Sequence, residues 1–200
     1  MWDLGCAIKQ KSGDKVRSQN KPGRSGFSRE WCVVRCGLKG ECRINKNLLI
    51  YGVPGTDFLQ FLKVSYPSGQ WALWCAESRP FETVVSERLK VFIAGGYETV
   101  VIADNMIGFC MAQKKVQDVF VFYQRLTSED ASCQGGSLLV AVLAKELGID
   151  CNLYPTDFDP EKAAIGDTLC YAGKHIVPRG AKSFIPGVDR VALSYFKERW

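Results

Sequence analysis

From Asn47 onward the apolar residues follow two alternating rhythms. Short, nearly continuous runs rich in β-branched and aromatic residues (INKNLLIYG, QWALWCAES, ETVVIAD, DVFVFYQ and IDCNLYP) predict five strands. A parallel sheet covered on both faces has no solvent side to carry polar residues, so its strands read this way. Between them lie segments in which apolar residues recur at helical spacing. FLQFLKV is a short helix, and Thr83 to Ala94 is a longer one that Gly95 and Gly96 stop. NMIGFCMAQKK is short again, and SLLVAVLAKELG, apolar nearly all round, is a buried helix closed by Gly148. RVALSYFKERW predicts a final amphipathic helix. The alternation is that of β-α-β units, hence an α/β fold with a parallel sheet and helices on both faces. Ligands of such sheets bind outside the carboxyl ends of the strands. Glu77, Arg79, Asp104 and Gln124 each follow an apolar run and therefore face that crevice.

The amino-terminal part has no such rhythm. Residues 1 to 29 are dominated by Gly, Pro, Ser and Lys and predict a disordered arm, with the folded domain spanning 30 to 200. The arm concentrates the basic charge: Lys9, Lys11, Lys15, Arg17, Lys21, Arg24 and Arg29 stand against Asp14, in a chain of net charge +5. Such an arm can touch RNA or acidic partners, or be a solvated tail. Trp2 and Phe27 are its aromatic residues suited to base stacking, which ranks RNA last. No apolar run approaches the roughly 20 residues needed to span a bilayer. The amino terminus lacks the pattern of a secretory signal, so a cytoplasmic protein with no membrane partner is expected.

Nine cysteines, an odd number, argue against a complete disulfide framework. Cys75, Cys110 and Cys151 lie in apolar runs and read as core residues. Cys32, Cys36 and Cys42 are too few and too widely spaced for a usual zinc site, and His175 is far downstream. No metal and no cofactor are expected. Neither the dinucleotide nor the triphosphate glycine fingerprint is present. GVPG at 52 to 55 is a tight turn or a phosphate approach. Gly135 and Gly136, before a long helix, offer backbone N–H groups to an anion or allow close packing. Asp104 and Asn105 can orient a sugar hydroxyl or move a proton, or Asp104 can cap the following helix. Arg79 and Arg125 can clamp a phosphate, or pair with carboxylates such as Glu77 and Glu129.

Taken together these motifs resemble one family: the α, β and δ subunits of translation initiation factor 2B and their relatives, the methylthioribose-1-phosphate and ribose-1,5-bisphosphate isomerases. NLLIYG is similar to the family's ILTHG/ILTHC strand, CAESRPF to TESRP/DETRP, and VVIADNMIGFCM to TLITDNMAGHLM. GSLLVAVLAKELGI is similar to GTYSLALAAKHHGI, and IPGVDRV to NPAFDVTP. The similarity runs over roughly residues 33 to 190, with the spacing from Arg79 through Asp104 to Gln124 kept without a gap. The resemblance implies a Rossmann-like sheet and a dimer or an assembly with related subunits. It also implies a preceding helical domain, which would be largely missing here. The isomerases use a cysteine in THC, an aspartate in GADRI and an Asn-Lys pair in NKIGT. Those positions are Gly52, Gln124, Cys133 and Gln134 in this chain, and Tyr51 stands for the histidine. Gln124 cannot exchange a proton near neutral pH and Gly52 has no side chain, so the acid/base pair is lost. The expectation is a non-catalytic regulatory or binding protein. Its vestigial sugar-phosphate or nucleotide pocket would be lined by Gly52, Arg79, Asp104, Asn105, Gln124, Arg125 and Gly136. The rival is an aldose–ketose isomerase with rebuilt groups, Asp104 as the catalytic residue and Tyr123 or Cys133 as helpers.

Overall fold

The computed structural model describes residues 46–163, 170–171, 174–175, 178, 180–181 and 184–197, all within the unit Gly40–Trp200. The basic arm and the Cys32, Cys36 and Cys42 cluster lie outside the described residues.

Five parallel strands form the centre of the sheet: β1 (Lys46–Tyr51), β2 (Trp71–Ala76), β3 (Thr99–Ile102), β4 (Asp118–Leu126) and β6 (Asp150–Pro155). Their spatial order is β3-β2-β1-β4-β6. Between β4 and β6 in sequence comes β5 (Asp130–Gln134), which turns back antiparallel on the carboxyl half of β4 and pairs with β9 (Val188–Ala192) on its other side. A small separate ladder joins β7 (Cys170–Tyr171) to β8 (Lys174–His175). The sheet is thus mixed, a parallel doubly wound core with an antiparallel flap.

Two clusters of buried side chains explain why the strands are apolar on both faces. On one face, α1 (Phe58–Ser65) and α2 (Glu82–Ala94) press Phe58, Leu62, Val85, Leu89 and Phe92 onto Leu48, Ile50, Leu73, Phe120 and Phe122. On the other, α3 (Ile107–Ala112) and α4 (Ser137–Glu146) press Ile107, Met111, Val140 and Ala144 onto Leu49, Tyr51, Val119 and Val121. Cys75, Cys110, Cys133 and Cys151 are buried, free thiols. At the amino end of β4, the buried Asp118 carboxylate accepts the Tyr66 hydroxyl at 2.6 Å and the Asn152 amide, tying the end of α1 to β4 and β6. Among the described residues no helix is long and apolar enough to cross a membrane.

Two expectations fail. The predicted final helix is instead β9 followed by a single 3-10 turn at Leu193–Tyr195. Here Val191 is fully buried and its neighbours Arg190 and Ala192 are exposed, the period of a strand; Val191 is held by pairing with Ala131. β5 is not among the predicted strands, so the predicted fifth strand is the sixth.

Candidate crevice at the carboxyl ends of the strands

The sequence order of strands reverses between β1 and β4, because the helices after β1 and β2 lie on one face and α3 and α4 on the other. This is the switch point at which open α/β sheets bind ligands. Ser78, just past the end of β2, is its hub. It is fully buried and held at φ 54°, unusual for a residue with a side chain. Its Oγ accepts the Gly52 N–H at 2.9 Å, and its carbonyl accepts Gln134 Nε2 at 2.9 Å. Its own N–H and that of Arg79 are donated, each at 2.8 Å, to the two oxygens of Asp104. One residue therefore fastens the ends of β1, β2, β3 and β5.

A second set of contacts joins β1 and β9 to α4. The Tyr51 hydroxyl donates to the Gly135 carbonyl at 2.8 Å, and the Gly135 N–H donates to the Gly187 carbonyl at 2.8 Å. Gly136, at φ 94°, opens α4. Its N–H and that of Leu138 are donated to Asp189 Oδ2 at 2.7 and 3.1 Å. The orphan donors of a helix start, with their partial positive charge, are met by a carboxylate from β9.

The predicted residues divide accordingly. Gly52, Arg79 and Asp104 meet around Ser78. Gly136 adjoins them through Tyr51, and Gln134 spans the two sets. The Arg79 guanidinium turns back, its Nε 3.2 Å from Glu77 Oε1. Arg125 points elsewhere: it is exposed and pairs at 3.6 Å with Glu161, not with Glu129. Gln124 is the extra residue of a bulge between Tyr123 and Arg125, half-buried at the rim. Asn105 is exposed in the 3-10 turn Asp104–Met106. Asp104 does not cap that turn, since Ala103 precedes it and no side-chain bond closes it. Ser78, Tyr51 and Asp189 were not among the predicted ligand-binding residues. The signal for Ser78 lay in ESRPF, where the neighbours drew attention and the short hydroxyl did not.

Burial sets the electrostatics. It raises the Tyr51 phenol, helped by the Asp104 and Asp189 carboxylates, so Tyr51 stays protonated. It raises Asp104 too, against the downward pull of the Arg79 and Ser78 N–H groups. The Cys133 thiol is pushed up to about 12 by burial and by Asp189, which makes it a poor nucleophile. Among the described residues no group of three or more His, Cys, Asp or Glu side chains is placed to hold a metal.

Comparison with known proteins agrees with this architecture. No family profile matches the chain. Over 74 residues, 36% of this chain and 21% of the relative, it is 42% identical to a methylthioribose-1-phosphate isomerase of Koribacter versatilis (strain Ellin345). Among solved structures it is similar to the delta subunit of translation initiation factor 2B from A. fulgidus (TM-score 0.63, 19% identity, covering 76% of this chain and 50% of that one). It is also similar to the 5-methylthioribose 1-phosphate isomerase of Pyrococcus horikoshii OT3 (TM-score 0.58, 20% identity, covering 76% of this chain and 48% of that one). A translation initiation factor 2B of the same organism gives a TM-score of 0.57 at 12% identity, covering 76% of this chain and 55% of that one. The chain thus spans about a fifth of the curated relative and about half of the structures it matches. Over three quarters of its length the chain shares the fold of these initiation-factor-2B and 5-methylthioribose 1-phosphate isomerase structures, and over the shorter stretch its sequence is similar to that of a methylthioribose-1-phosphate isomerase.

Proposed function

We propose that the chain is a non-catalytic regulatory or binding protein of the initiation-factor-2B subunit kind, acting in the cytoplasm as a dimer or beside related subunits. One observation carries this reading: the backbone N–H donors of the crevice are bonded to its own carboxylates. Both Asp104 oxygens hold backbone N–H groups, the Gln134 amide holds the Ser78 carbonyl, and Asp189 fills the start of α4. An aldose–ketose isomerisation needs a group that takes a proton from one carbon and returns it to the next. Gly52 and Gln124 offer none at the positions where the resemblance expects one.

The second reading, an isomerase, draws on the relative of 42% identity and on the raised Asp104. Burial favours the protonated acid, as a general acid requires. But both oxygens accept N–H groups, an arrangement suited to an ionised, structural carboxylate. The test is turnover of methylthioribose-1-phosphate by the purified protein. The proposal expects no conversion above the uncatalysed background. Conversion that is lost in Asp104→Asn while the variant remains folded would establish the isomerase instead.

A further inference from the structure

Away from the crevice, a cavity of about 250 Å³ lies between the carboxyl end of α1 and β6. Its wall is aromatic. The Phe61 ring centroid is 5.0 Å from that of Tyr154 and 5.5 Å from that of Phe120. An apolar cavity of about 150 Å³ already holds benzene, so this volume suits a molecule of one or two rings. Ser65 and Lys197, both exposed, form the rim. Asn152 also lines the cavity, on the same face of the sheet as its ladder partner Phe120, and is only 3% exposed. Its Nδ2 donates to Asp118 Oδ1 and, at 3.1 Å, to the Val119 carbonyl. The other end of the amide, Oδ1, is buried and has no partner among the described residues. The Asp118 carboxylate draws on the N–H end of this amide and so strengthens Oδ1 as an acceptor. The charges around the cavity do not invite an anion. Lys197 Nζ is paired with Asp150, and the Asp118 carboxylate stands behind Asn152.

We propose that this cavity is a second ligand site, taking a neutral, planar heteroaromatic molecule of one or two rings whose N–H donates to Asn152 Oδ1. The rings of Phe61, Phe120 and Tyr154 supply the flat and edge-on contacts that such a molecule prefers. Its N–H meets the acceptor that the fold leaves unsatisfied. The half-buried Phe61 ring and the exposed Lys197 side chain are the groups that give way as it enters. A sugar phosphate gains little from the rings and brings charge toward Asp118 and Asp150. The site lies on another part of the molecule and does not depend on how the crevice is read.

Indole is the probe. Benzofuran, of the same size but with a ring oxygen where indole has its N–H, is the control. NMR of the Asn152 side-chain amide follows each titration. Indole is expected to shift those signals saturably at millimolar concentration or below, and to leave the Ser78 and Gly136 backbone amides unmoved. Benzofuran is expected to bind about tenfold more weakly, since it cannot donate to the buried acceptor. Ser65→Phe fills the mouth of the cavity from an exposed position and is expected to abolish indole binding. If that variant does not fold, the benzofuran comparison in the wild type decides. Absence of a saturable shift at Asn152, equal affinity for benzofuran, or undiminished indole binding by folded Ser65→Phe overturns the assignment.

Discussion

Gly136→Ala is expected to destabilise the protein by about 3 kcal/mol or more, with the unfolding midpoint in urea falling accordingly. A β-carbon built on Gly136 lies 1.9 Å from the Tyr51 hydroxyl oxygen and 2.9 Å from the ring carbon that bears it. Neither can yield freely. The hydroxyl is bonded to the Gly135 carbonyl, and the ring is in the core beneath α3 and α4. Left-handed backbone adds roughly 1–2 kcal/mol for a residue with a β-carbon, and overpacking typically costs about 1–3 kcal/mol. The two causes can be separated by a cycle with Tyr51→Phe. Removing the hydroxyl relieves the shorter contact and leaves the ring carbon, so the double variant should be less destabilised than the sum of the singles, by about 1 kcal/mol. Strict additivity would mean that the backbone conformation alone makes glycine necessary.

The second large effect is expected on the opposite face. Phe58, the first residue of α1, is fully buried and meets five other rings. The centroids of Phe61, Phe92, Phe120, Phe122 and Tyr154 lie 4.8 to 6.2 Å from its own. Phe58→Ala should cost about 3–5 kcal/mol, the range for deleting a buried ring whose neighbours cannot collapse into the space. That is a large part of a typical stability of about 5–15 kcal/mol. Val64, in the same helix but 85% exposed, is the control. Val64→Ala should stay within about 0.5 kcal/mol. The contrast matters for the crevice, because Phe58 anchors the loop that follows β1 and carries Gly52. A variant at Phe58 should therefore also loosen the Gly52 N–H to Ser78 bond.

How far this could be read from the sequence depended on the range of the interactions. The strands from β1 to β4, together with β6, were legible from their uninterrupted apolar runs, and α2 and α4 from their helical spacing. β5 was not, since DASCQ turns only Ala131, Cys133 and Gln134 inward, and small or polar residues leave no hydrophobic signal. β9 was misread because VDRVALSYF fits a helix as well as a strand until Val191 is known to face Ala131 across the flap. The same limit governs the crevice. Arg79, Asp104 and Gly52 were found at strand ends, where topology alone puts them. Their bonds could not be foreseen: Ser78 and Gln134 are 56 residues apart, and Gly136 and Asp189 are 53 apart. The cap expected of Asp104 is absent, and no sequence signal announces the two N–H groups that it accepts. Asp104 holds the turn after β2, a role that exists only once β3 lies beside β2.

The central claim is that Asp104 and Asp189 hold the backbone N–H donors of the crevice, which are therefore not offered to a substrate. Amide NMR tests it most directly, by following the Ser78, Arg79, Gly136 and Leu138 N–H signals during a titration with methylthioribose-1-phosphate. The account predicts that all four amides exchange slowly with solvent and that neither their shifts nor their protection change as the sugar phosphate is added. Saturable shifts at these amides, with protection altered at Gly136 or Ser78, would contradict it and mean that Asp104 and Asp189 yield their partners to a ligand.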